Sequence, residues 1–68
     1  MEAKEYFADA DSAVDRAWTY LHRAGDAYDK RDAKEMADQI RRAQVEVQIA
    51  YSKIVAVLVL EGEEIPTY

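Results

Sequence analysis

Residues 3–28 read AKEYFADADSAVDRAWTYLHRAGDAY, and in them Ala3, Phe7, Ala10, Val14, Ala17, Leu21, Ala24 and Tyr28 recur at alternating spacings of four and three. That alternation keeps one stripe of an α-helix apolar over several heptads, so the stretch predicts a long helix with a packing seam. One seam position is always Ala and the other always larger, which lets a second helix approach toward the short end of the usual spacing of roughly 8–10 Å. Residues 33–58 repeat the rhythm with Ala33, Ala37, Ile40, Gln44, Val47, Tyr51, Ile54 and Leu58.

The breakers set the limits of these segments. The two glycines are Gly25 and Gly62 and the one proline is Pro66, so nothing forces a break within 2–24 or 32–61. Gly25 offers an earlier stop, but Tyr28 keeps the heptad phase, and helix one is expected over about 2–29. Asp29-Lys30-Arg31-Asp32 reads as the turn, about 29–32. Asp32-Ala33-Lys34-Glu35 has the form of a capping box opening helix two, about 32–61. Asp38–Arg42 and Arg42–Glu46 are spaced to pair along its exposed side. Gly62 can end the helix in a left-handed turn, leaving 62–68 as a flexible or clasping tail.

The expected fold is therefore all-α: an antiparallel two-helix hairpin over 1–61 joined by a heptad seam. Folding about residues 30 and 31 makes facing residues sum to 61. Leu21 then meets Ile40, Val14 meets Val47 and Phe7 meets Ile54, with alanine-thinned layers between them. The β-branched run Ile54–Leu60 also permits a strand, since such residues favour strands.

That seam leaves many apolar residues unused. Tyr6, Ala13, Tyr20 and Ala27 form a second row on helix one, with Trp18 on the other flank. Met36, Ala43, Ala50 and Val57 lie beside the seam of helix two, and Val45, Ile49, Ala56 and Val59 make a further row. A helix apolar nearly all round must be buried nearly all round, so self-association into a four-helix or larger bundle is expected. Tyr6, Trp18, Tyr20, Met36, Val45, Ile49, Val57 and Val59 are the candidate subunit or partner interface.

Composition narrows the function. The chain has 68 residues, 50% hydrophobic and 34% charged, with 9 Lys and Arg, 14 Asp and Glu, one His and no Cys. It is one small domain near the size at which a single core holds itself together. Without Cys there is no disulfide scaffold, zinc ribbon or thiol chemistry. The net charge of -5 speaks against nucleic-acid binding. The start, Met1-Glu2-Ala3-Lys4-Glu5, carries no apolar signal core and the longest unbroken apolar run, Ile54–Leu60, is short. A cytoplasmic protein without a membrane segment is expected.

Chemistry-bearing groups are sparse. His22 has only Asp26 at helical spacing, whereas bundle metal sites take paired Glu-x-x-His motifs. Ser12 and Ser52 lack an activating base at a telling spacing, and no phosphate loop is present. No enzyme activity, metal or cofactor is expected. Arg31, Lys34, Arg41 and Arg42 form a candidate anion-binding group for a small ligand such as a nucleotide. Glu2, Glu5, Asp9, Asp11 and Asp15 make an acidic row that would imitate a nucleic-acid backbone.

Residues 21–44, with Leu21, Ala24, Ala27, Asp32, Ile40, Ala43 and Gln44, resemble a helical hairpin of flagellin-export chaperones. The likeness covers about a third of the chain, and that family's remaining helices have no counterpart here. The sequence thus leads to a non-enzymatic binding protein, a regulator, adaptor or inhibitor of phage or bacterial accessory type. It would associate with itself and with another protein. The alternatives are an oligomer that holds a small anion between subunits and an acidic inhibitor of a DNA-binding protein.

Overall fold

The computed structural model describes residues 2–63 as two helices, α1 (Ala3–Asp29) and α2 (Ala33–Glu61), packed antiparallel along their length. The hairpin measures 47 × 24 × 12 Å, a plate one helix thick. No strand occurs among the described residues, and Ile54–Leu60 is helical. The continuous ladder from Ala33 leaves those β-branched residues no cause to change conformation. α1 runs through Gly25 without interruption. The part of the 62–68 tail beyond Glu63 lies outside the described residues.

The turn works by doubling one residue's duties. The Arg31 amide donates to the Tyr28 carbonyl at 2.9 Å and the Asp32 amide to the Ala27 carbonyl at 2.9 Å. That bond pair closes a helix with a left-handed residue, and here the left-handed position is Arg31, at φ 58°. Asp32 then caps α2: its Oδ1 accepts from the Glu35 amide at 3.1 Å. Only half of the expected capping box forms, because the Glu35 carboxylate accepts from Gln39 Nε2 at 2.7 Å instead. At the far end Gly62 takes the same left-handed position, at φ 75°. Its amide donates to Val59 and the Glu63 amide to Leu58, at 3.2 and 2.9 Å.

The seam differs from the expected one. Every described residue of α1 that is not exposed falls on Ala3, Tyr6, Ala10, Ala13, Ala17, Tyr20, Ala24 or Ala27. On α2 the buried and half-buried positions include Met36, Gln39, Ala43, Glu46, Ala50, Lys53 and Val57. Ala10, Ala13 and Ala50 cluster, with Ile54 packed beside them. Placing Ala13 against Ala50 makes facing numbers sum to 63 rather than 61. Phe7, Val14, Leu21, Ile40 and Val47, expected inside, are exposed.

Two causes act together. The turn centres on Arg31, which moves α2 along α1. Small residues on both helices let the backbones close over alanine, and the two ion pairs described below form in this rotation. The outcome is a hairpin whose buried apolar residues, among those described, are all Ala, with no large side chain among them fully enclosed.

Candidate functional site

The alanine seam divides the plate into a charged side and an apolar side. On the charged side Arg16 Nε donates to Glu46 Oε2 at 2.8 Å, and Lys53 Nζ lies 3.7 Å from Asp9 Oδ2. Lys53 also stands 5.4 Å from the centre of the Tyr6 ring. Glu46 and Lys53 are the two charges of the stretch 43–60. Both therefore point toward α1 and find partners there.

The remainder of that stretch is strongly apolar. α2 contains an 18-residue window of mean hydropathy 1.5 and is long and apolar enough, by length and composition, to cross a membrane. Counting only the unbroken run Ile54–Leu60 misses this, because isolated charges interrupt a run without lowering a long average much.

On the apolar side, next to the seam, lies Phe7, Val14, Leu21 and Tyr28 on α1, with Ile40, Val47 and Ile54 on α2. Each row repeats every seven residues, so each keeps one heading along its helix. Leu21, Ile40, Ala43, Gln44, Val47 and Gln48 line one shallow depression, which shows the two rows sharing a face. Phe7 is 58% exposed and Val47 56%. Trp18 lies one row further out, at 59%. It lines a notch of about 400 Å³ with Leu21, His22, Gly25 and Tyr28. The His22 ring sits 6.1 Å from that of Trp18.

A second apolar strip lies on the other flank of α2. Val45, Ile49 and Val59 are exposed there, and Ile49 stands two residues from Val47, roughly 200° away round the helix. No single contact surface covers both.

The candidate interface residues are thus distributed over three places. Tyr6, Tyr20, Met36 and Val57 are half-buried in the seam. Trp18 borders the wide apolar face. Val45, Ile49 and Val59 form the narrow strip. Periodicity alone did not single out Phe7, Val14, Leu21, Ile40 and Val47 as surface, because their spacing suits a seam equally well.

Of the candidate anion-binding residues, two share one depression, one is paired along α2 and one lies in the turn. Lys34 and Arg41 border an open depression of about 570 Å³, together with the carboxylates of Asp32, Glu35 and Asp38. Arg42 Nε donates to Asp38 Oδ2 at 3.0 Å. That bond and the charge beside it hold the Arg42 guanidinium above its ordinary pKa. Arg31 lies in the turn with its guanidinium 5.0 Å from the centre of the Tyr28 ring. Among the described residues, no group of three or more His, Cys, Asp or Glu stands close enough to hold a metal ion.

Compared with protein-family models, curated proteins and solved structures, the chain matches none. The likeness of residues 21–44 to export-chaperone hairpins is one of spacing and small residues only.

Proposed function

We propose that the chain is a non-enzymatic binding protein, a regulator, adaptor or inhibitor, acting through protein–protein contacts made by an oligomer of helical hairpins. The observation that carries this reading is the pair of separate apolar surfaces on a hairpin whose own core is alanine. Contiguous exposed hydrocarbon of this extent is characteristic of interaction sites. A self-contact on the wide face leaves the strip Val45, Ile49 and Val59 open for another protein. That strip is bordered by the Arg16–Glu46 and Lys53–Asp9 pairs, giving the apolar centre and polar rim of a protein-binding patch.

The test is site-specific photo-crosslinking in the cells that make the protein, with the reactive side chain at Ile49 or Val59. Capture of one protein, abolished by Ile49→Asp while the solution mass of the chain stays unchanged, is the expected result. Crosslinks only to further copies of the chain, at both positions, would overturn the reading.

A further inference from the structure

We infer that the wide apolar face is closed by a second copy of the chain running antiparallel, α1 against α1 and α2 against α2, in a two-fold four-helix bundle. The inference rests on the oligomeric reading above and names its surface and geometry.

The hairpin needs such a cover. A stable protein–protein interface takes about 800 Å² from each partner, roughly a seventh of the 5307 Å² that the chain exposes. Phe7, Val14, Trp18, Leu21, Ile40, Val47 and Tyr51 are all exposed large side chains on this one side. A second copy presents the same rows at the same seven-residue interval, so ridges match along the whole length.

Orientation follows from charge and from size. Residues 23–42, at the turn end, hold the cations Arg23, Lys30, Arg31, Lys34, Arg41 and Arg42 against five acids. The end with the termini has Lys4, Arg16 and Lys53 against nine acids. Parallel copies would stack acid on acid, whereas antiparallel copies lay each acidic end over a turn.

Size agrees. Arg16, the midpoint of α1, bonds Glu46, so a two-fold axis through the centre passes beside Val47. About it Ile40 faces Ile54 and Val14 faces Trp18 of the other copy. Phe7 comes level with the notch at Gly25, where nothing lies within 4 Å of an added Cβ. A large residue meets a small one where Phe7 reaches Gly25, and apolar residues meet apolar ones nearer the axis.

The absence of cysteine makes the test direct. Light scattering on a sizing column should give twice 7.8 kDa. Leu21→Asp with Val47→Asp should halve the mass with helical circular dichroism retained, since both residues are exposed in the hairpin. Val45→Asp with Val59→Asp should leave it unchanged. Val47→Cys should link to itself under mild oxidation. A Phe7→Cys, Gly25→Cys double variant should also link copies, because those positions lie roughly 27 Å apart in one helix.

Several results would sink the inference. They are a monomer at every loading, a dimer that survives both aspartates on the wide face, or Val47→Cys that stays reduced within a dimer. A monomer that sediments with phosphatidylcholine vesicles would give the face to lipid instead. A monomer that still captures a protein at Ile49 overturns this pairing and leaves protein binding standing; a dimer of this design that captures nothing does the reverse.

Discussion

Arg31 holds its guanidinium 5.0 Å from the centre of the Tyr28 ring while its own backbone sits at φ 58°, a position glycine adopts without steric cost. The stacking stabilises by about 0.5–1 kcal/mol at an exposed site. The left-handed backbone costs a residue with a Cβ about 1–2 kcal/mol. Arg31→Gly removes both and should raise stability by about 0.5–1 kcal/mol. Arg31→Ala loses the stacking, keeps the strain and should lower stability by a similar amount. Urea melts of the two variants, read against the parent, check the opposite signs.

Glu46 is the inward partner of its ion pair: its side chain is 14% exposed, against 50% for Arg16. Removing the outer member strands the inner carboxylate at the edge of the seam. Arg16→Gln should therefore cost about 1 kcal/mol at low salt, near the upper end for a partly exposed pair. The gap between parent and variant should narrow at 1 M salt, where the Debye length is about 3 Å. Denaturant midpoints at the two ionic strengths decide it. No change on mutation would mean that Glu46 is hydrated rather than paired.

Gln39 is buried, at 8% exposure, and its Oε1 accepts no hydrogen bond among the described residues, although its Nε2 donates to Glu35. A buried acceptor left unpaired costs about 1–3 kcal/mol. Gln39→Leu, in the seam, removes that acceptor and fills similar space. It should raise the chain's stability by about 1 kcal/mol, seen as a higher urea midpoint at unchanged slope.

Gly25 lies inside α1, and beyond its own stretch of helix backbone an added Cβ meets nothing within 4 Å. In the monomeric Leu21→Asp, Val47→Asp background, Gly25→Ala should stabilise by about 0.5–1 kcal/mol through helix propensity alone. In the otherwise unaltered chain, on the pairing inferred above, the same methyl would fill the notch opposite Phe7 and weaken association. Thermal melts at several concentrations separate the two effects. Equal gains in both backgrounds would mean that nothing enters the notch.

Local chemistry was well expressed in the sequence and the choice of seam was not. Asp32, Gly62 and the Asp38–Arg42 pair behave as their types and spacings predict, because each depends on atoms within one or two turns. Arg42–Glu46 did not form, since Arg16 reaches Glu46 from the other helix. The rows through Ala10, Ala13 and Val14 are all apolar at heptad spacing, and any adjacent two make an acceptable seam. Choosing between them depends on what covers the row left out, a quantity outside the pattern of a single helix. Arg31 in a left-handed turn was equally hidden, because nothing in its side chain announces that backbone.

The alanine seam has a thermodynamic consequence. Alanine has no rotamers to lose, so closing the hairpin costs backbone entropy and almost nothing from side chains. It also removes little hydrocarbon from water. Phe7, Val14, Trp18, Leu21, Ile40 and Val47 keep their torsional freedom and their hydration until something covers them. In a dimer of the kind inferred above, the large negative heat-capacity change that accompanies apolar burial would therefore be deferred from folding to assembly. Cooling would then loosen the dimer well before it disturbs the helices, a cold sensitivity located between molecules rather than within one.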